Sequence, residues 1–225
     1  MQNWLGIAVS FIYVFGILGI AQLLLYFQLA SPPVSRKLVH IGVAHWWLLA
    51  IPFFDSVAYA LVGPVAFTVL NAISLRRHLF PAMEAPRQPG KPVNLGTIYF
   101  PVSLTILVLV TFLTEMPTWV GGLGILVLGW GDGMAAVVGM AAGRIRYTVF
   151  RQRKSLIGSA TMFGVSFGVV LLYSYVQLPL NAGMLLLSAA ATAAVATATE
   201  AATPLGMDNL SIPTVTALFY YGVFL

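Results

Sequence analysis

Long apolar blocks alternate with short polar ones along this chain. The blocks are centred on residues 4–29, 38–54, 57–75, 98–114, 119–143, 158–178 and 183–203, with a shorter piece at 213–225. Several exceed the roughly 20 residues that a helix needs to cross a bilayer. The period-2 alternation of barrel strands is absent, so helices are the spanning element. The pattern predicts an all-α integral membrane protein, one domain over residues 1–225, built as a bundle of about seven transmembrane helices plus a short C-terminal helical segment. Ser211 and Pro213 read as the start of that segment. As a helix it is about 20 Å long, short for a full crossing. The longest polar stretch, 76–95, holds Pro81, Pro86, Pro89 and Pro92 and reads as a loop, so no soluble domain is expected.

Charge gives the blocks a direction. Only 8% of the 225 residues are charged and 60% are hydrophobic, whereas an average soluble domain is about 25% charged. All eleven Lys and Arg fall in three places: Arg36 and Lys37; Arg76, Arg77, Arg87 and Lys91; and Arg144, Arg146, Arg151, Arg153 and Lys154. These are alternate loops, and the positive-inside rule makes them cytoplasmic, with the N-terminus outside. The expected location is the cytoplasmic (inner) membrane, multi-pass. The opposite loops carry only Asp55 and Glu115. The net charge of +5 is therefore a topology signal rather than a nucleic-acid surface. Met1 to Trp4 lacks a basic n-region, so the first block reads as a retained helix. The absence of cysteine excludes disulfides, zinc thiolates and thiol nucleophiles.

One carboxylate interrupts the fifth block. Asp132, in Gly129-Trp130-Gly131-Asp132-Gly133, sits where an ionisable side chain costs about 2.5–3.5 kcal/mol and is expected to face a polar cavity or a metal. Glycines there let the backbone bend and a charged ligand approach. In a straight helix from Trp119, Asp132 lies about 20 Å along the axis, so either a cleft reaches it or the glycines break the helix. Of six acidic residues, Glu84 falls in the loop and two lie on the far side, leaving Asp132, Glu200 and Asp208 for buried chemistry. The topology brings these to the side that holds Arg36, Lys37, His40, Lys154 and Ser155. Arg36 and His40 are four apart and share a helical face.

Carboxylates beside Arg and Lys suit a hard divalent cation, and Mg²⁺ takes one or two protein carboxylates plus substrate phosphates. Asp132 then holds a metal that carries a nucleotide's phosphates, with Arg36, Lys37, Arg144 and Lys154 as clamps. A plainer reading makes each isolated basic residue a topology or headgroup anchor, and Asp208-Asn209 part of a turn. Gly139 with Gly143, and the stretch from Ser188 to Thr199, read as close helix packing. His45 reads as a packed polar side chain beside Trp46 and Trp47. Gly131-Asp132-Gly133 with Ala136 matches a dinucleotide fingerprint only formally, since no strand precedes it, and Gly90-Lys91 before Pro92 is no Walker A loop.

Five pieces in order resemble the polyprenol kinase family, which includes dolichol kinase, phytol kinase and a CTP-using diacylglycerol kinase, and is related to phosphatidate cytidylyltransferases. They are Ser35-Arg36-Lys37-Leu38-Val39-His40; Gly131-Asp132-Gly133-Met134-Ala135 with Gly139 and Gly143-Arg144; Lys154-Ser155-Leu156-Ile157-Gly158-Ser159; Glu200; and Asp208-Asn209-Leu210-Ser211-Ile212-Pro213. The third, continuing into Ala160-Thr161-Met162-Phe163, and the last look closest to phytol kinase. Ile157 stands where many members carry Glu, so that role is absent or filled by Glu200.

The resemblance implies transfer of the γ-phosphate, usually from CTP with Mg²⁺, to the hydroxyl of an isoprenoid alcohol or diacylglycerol. It implies that Asp132 and Glu200 hold the metal with help from Asp208 and Asn209. It makes Asp132, Glu200 and Lys154 catalytic, and assigns phosphate binding to Arg36, Lys37, Gly131, Gly133, Arg144, Lys154, Ser155 and Gly158. His40 would contact the alcohol or a phosphate. The expected partners are a lipid alcohol, a nucleoside triphosphate and membrane lipids, with no nucleic acid. Two alternatives share these features. A cytidylyltransferase would attack the α-phosphate, but no basic residue follows Lys154 as its C-terminal signature requires. A transporter would use Asp132 and Glu200 as a cation or proton relay and the glycines as a broken-helix site.

Overall fold

Inside a bilayer every backbone N–H and C=O needs a partner within the chain, so apolar blocks fold as helices. The computed structural model describes residues 1–77, 79, 93–150, 152–204 and 206–225. Glu84, Arg87, Lys91, Arg151 and the four loop prolines lie outside the described residues. Among the described residues, six helices are long and apolar enough to cross a membrane: Gln2–Tyr26, Val57–Arg77, Gly96–Leu113, Thr118–Ala142, Leu156–Gln177 and Ala182–Ala202. The protein is an all-α, multi-pass membrane protein. The first is α1; the second comprises α4 (Val57–Ala60) and α5 (Val62–Arg77); the third is α6. The fourth contains α7 (Thr118–Leu126), a π turn (Val127–Asp132) and α8 (Gly133–Ala142); α9 and α10 are the last two.

The block at 38–54, expected as one of about seven spans, is not a continuous helix. It forms α2 (Pro32–Ala44) and α3 (Trp46–Ala50), then a short 3₁₀ turn, Ile51–Phe53. His45 makes the break. In a regular helix its N–H would bond the Ile41 carbonyl, but its own Nδ1 takes that carbonyl at 2.9 Å. The backbone N–H tightens onto Gly42 instead, at 3.1 Å. A side chain that competes for a helical carbonyl in this way ends the regular ladder. Trp130 Nε1–H donates to the other ring nitrogen at 3.2 Å, which fixes the proton on Nδ1. His45 is thus a packed structural residue, next to Trp46 and Trp47 in the chain and resting on Trp130.

The C-terminal helix also departs from expectation. α11 is Asp208–Phe224, so it starts five residues before Pro213, which lies inside it. Its 17 residues span about 25 Å. It runs back along α7, with the Pro213 carbonyl against Gly124 and Tyr220 edge-on to Trp119, centroids 5.7 Å apart. That contact carries it to the opposite end of the bundle from Asp208. Ser211 does not cap it; its hydroxyl lies 3.0 Å from that of Thr203.

Small residues set how closely the elements approach. A Cβ at Gly129 would collide with Ala44 of α2, so this glycine lets the π turn lie against that helix. Gly139 and Gly143 pack on Ser155 at the start of α9. The Ala- and Thr-rich α10 buries Ser188, Ala189, Thr192, Ala193 and Ala196.

A two-stranded hairpin, absent from the all-helical expectation, joins α8 to α9. β1 (Arg146–Val149) pairs antiparallel with β2 (Gln152–Ser155), in the register Tyr147 opposite Lys154 and Thr148 opposite Arg153. The pleat sends alternate residues to opposite faces. Tyr147, Val149, Gln152 and Lys154 are half-buried, while Arg146, Thr148 and Arg153 are exposed.

Candidate active site

Asp132 ends the π turn, a wider helical turn that recurs at functional sites. The helix neither runs straight nor breaks; it bulges at the glycines. Asp132 is 5% exposed. Lys37 Nζ donates to its Oδ2 at 2.6 Å, and His40 Nε2 lies 3.4 Å from the same oxygen. His40 Nε2 is also 3.2 Å from the Leu128 carbonyl, and two acceptors around one nitrogen require that it carry the proton. Phe100 holds the ring edge-to-face at 5.1 Å. Lys37 and His40 are three apart on α2, one helical face. Removing one partner of such a buried pair costs about 3–5 kcal/mol.

These groups form one end of a cavity of about 170 Å³. Its polar end is lined by Arg36, Lys37, His40, Asp132, Asp208 and Asn209 together with Asn71 and Asn94. Asn209 Nδ2 donates to the Gly96 carbonyl at 2.9 Å, and the Gly96 N–H donates to Asn94 Oδ1 at 2.8 Å. Asn71 Nδ2 donates to the Thr97 carbonyl at 2.7 Å. Gly206 makes the tight turn before α11 at φ +83°, where Gly96 leaves no room for a Cβ. The start of α6 is thereby clamped to the start of α11. Sequence reasoning missed Asn71, Asn94, Gly96 and Gly206. The signal available was polar Asn71 in an apolar block and Asn94-Leu95-Gly96 at a loop's end.

From this polar end the cavity continues as an apolar arm along four helices. On α2 the lining passes from His40 to Val43 and on to Trp46 at the start of α3, and on α6 from Thr97 to Phe100 to Leu104. On α5 it passes from Asn71 to Phe67 to Gly63, with Val14 and Leu18 of α1 as the remaining wall.

A second ion pair lies next to this cavity but does not line it. Lys154, turned inward by the hairpin pleat, donates to Glu200 Oε1. Its charge reaches both Asp132 and Asp208. The expected phosphate binders divide by place. Arg36 and Lys37 line the cavity, whereas Arg144 is exposed outside it. Ser155 caps α9, accepting the Gly158 N–H at 3.1 Å. Gly158 packs on α8, and its Cβ would lie 3.2 Å from the Ala135 carbonyl. Gly131 faces Ser166 and Met162 of α9, and Gly133 faces Ile41 of α2.

Among the described residues no three His, Cys, Asp or Glu side chains converge as a ready metal cluster. Two carboxylates, Asp208 and Asp132, do line the same cavity, near enough for the charge of one to be felt at the other. Asp132 Oδ1 accepts no hydrogen bond from any described residue, and Asp208 Oδ1 accepts only the Asn209 N–H. That donor set fits Mg²⁺, which completes its shell with phosphate oxygens and water. Glu200, also expected as a ligand, accepts from Lys154, and Asn209 donates to the Gly96 carbonyl.

The chain is 33% identical over 221 residues to a phytol kinase of Synechocystis sp., a match that covers 96% of this chain and 90% of that relative. It is 26% identical over 212 residues to a probable chloroplastic phytol kinase of Triticum aestivum, covering 88% of this chain and 69% of the relative. No protein-family model matches the chain. No solved structure matches it significantly.

Proposed function

Since the chain belongs to the phytol kinase family, and is thus a phosphotransferase acting on a lipid alcohol, we propose that it moves the γ-phosphate of CTP to the hydroxyl of an isoprenoid alcohol at the cytoplasmic face of the membrane. The observation that carries this reading is the cavity's division into a charged end at Asp132 and an apolar arm leading away from it. A triphosphate and an oily hydroxyl meet at such a junction. Both relatives are named for phytol, which favours phytol over dolichol, longer polyprenols and diacylglycerol as the acceptor.

In the transfer, the alcohol oxygen attacks the γ-phosphorus and gives up its proton to solvent, the bond to the bridging oxygen breaks, and CDP leaves. Phosphoryl transfer asks mainly for alignment and charge neutralisation. Arg36 and Lys37 bind phosphate oxygens as charge moves onto the leaving diphosphate. The His40 Nε2–H orients the alcohol or a phosphate oxygen. Lys154, held by Glu200, adds positive potential from beside the cavity. Mg²⁺ held by Asp132 and Asp208 would supply further neutralisation of the phosphates.

The test is incubation of the purified protein with Mg²⁺, γ-labelled CTP or ATP, and a panel of phytol, farnesol, geranylgeraniol, longer polyprenols, diacylglycerol and phosphatidate. Label in lipid monophosphate, greatest with phytol and CTP, is the expected result. Label recovered as pyrophosphate with none in lipid would overturn the kinase reading in favour of cytidylyl transfer.

A further inference from the structure

The apolar arm has a measurable depth and two different walls. From Asn71 at the polar end to Gly63 at the far end the lining advances eight residue steps of α5, about 12 Å along the axis. The far end is closed by protein. Trp46 is 2% exposed there, and behind Gly63 lies the fully buried Ser10, bonded to the Gly6 carbonyl at 2.7 Å. The side wall between α1 and α5 is different. Phe67 lines the cavity and also packs on Phe11 and Phe15 of α1, at 5.4 and 5.6 Å between centroids. Phe15 is 44% exposed on the outer surface of a transmembrane helix. Phe67 therefore separates the arm from the lipid-facing side by one layer of aromatic rings.

An extended hydrocarbon advances roughly 1.25 Å per bond, given tetrahedral C–C bonds of about 1.52 Å. An arm of this depth takes about ten chain carbons, and since only four of the five carbons of an isoprene unit lie along the chain, it accepts two full units with about half a unit to spare. A phytol chain is longer, and the blind end at Trp46 and Gly63 stops it. We infer that the arm holds the first two isoprene units of the acceptor, and that the rest of the chain leaves for the bilayer between α1 and α5 at Phe67. The inference rests on the lipid-alcohol kinase reading and adds to it the site that recognises the acceptor. Discrimination then falls on the units nearest the hydroxyl, because only these are desolvated by protein, while distal units stay among lipid tails.

The experiment compares prenol, geraniol, farnesol and phytol as acceptors at fixed mole fraction in mixed micelles, for the wild type and for Gly63→Ala, Gly63→Val and Gly63→Leu. A Cβ at Gly63 meets Ser10 and Trp46 at 3.6 Å, ordinary contact, so the alanine variant fits without strain. The expected wild-type kcat/KM rises steeply from prenol to geraniol and then changes less than about threefold to phytol. The geraniol-to-prenol ratio falls progressively through the Gly63 series, by tenfold or more in Gly63→Leu. In parallel, a geraniol analogue with a terminal diazirine is expected to label the peptides holding Trp46 and Gly63.

If the wild type phosphorylates lipid alcohols but the ratio stays constant through the series and the label falls elsewhere, the tail site is wrong and the kinase reading stands. If the wild type phosphorylates no lipid alcohol, that reading falls. Geraniol-competed label at Trp46 and Gly63 would still support an isoprenoid-alcohol site, and its absence would overturn the site as well.

Discussion

Asp132 concentrates the electrostatics of the site in a single carboxylate. One oxygen is taken by Lys37 and approached by His40, and the proposed mechanism assigns the other to a metal ion. Asp132→Asn keeps the shape and removes the charge. The expected outcome is a loss of turnover of at least about a thousandfold, the scale seen when a key electrostatic group is lost, in protein that still inserts in membranes and elutes as a single species. Normal turnover in that variant would remove Asp132 from the mechanism. The carboxylates, Lys37 and His40 were all visible in the sequence. Glu200 was visible too, but as a metal ligand beside Asp132. Its partner is Lys154, 46 residues away, and a choice among several cations on one side of a membrane is not written in local sequence.

At the scale of elements, the hairpin sorts basic neighbours, Arg153 and Lys154, that the sequence presents within one cluster. The pleat points Lys154 at Glu200 and leaves Arg153 exposed. Measured turnover should fall by about a hundredfold or more in Lys154→Ala, where a carboxylate is left buried without its partner. Arg153→Ala should stay within about twofold, as exposed charges contribute little. Equal losses in the two variants would contradict this register. The contact of α2 with the π turn depends on Gly129, whose missing Cβ admits Ala44. Gly129→Val pushes α2 outward and draws Lys37 and His40 away from Asp132. It should lower both the midpoint of thermal unfolding and turnover; unchanged values for both would show that the contact yields without cost. Overpacking of this kind costs about 1–3 kcal/mol.

At the scale of the molecule, the connections that carry Arg36 and Lys37, Arg76 and Arg77, and Arg144 through Lys154 gather at the end where α6 and α11 begin. Asn3 and Asp55 meet at the other end. The positive-inside rule predicts that the basic end is cytoplasmic, and the cysteine-free sequence allows a clean test of that proposal. In intact cells a membrane-impermeant maleimide should label Asp55→Cys directly and Arg153→Cys only after permeabilisation. The reverse pattern would invert the orientation and move the proposed nucleotide site to the outer face.

The sequence by itself determined what the bilayer dictates locally. Apolar length marked six of the seven long blocks as spanning helices, cations collect on one side, and a carboxylate at membrane depth has to be compensated. Rotation of each helix about its axis, the break at His45, and the joining of Asp132 to an apolar arm were decided only by the tertiary structure. They depend on which small residue meets which neighbour, and such contacts join positions as far apart as Lys37 and Asp132. No local pattern of apolar and polar residues encodes them.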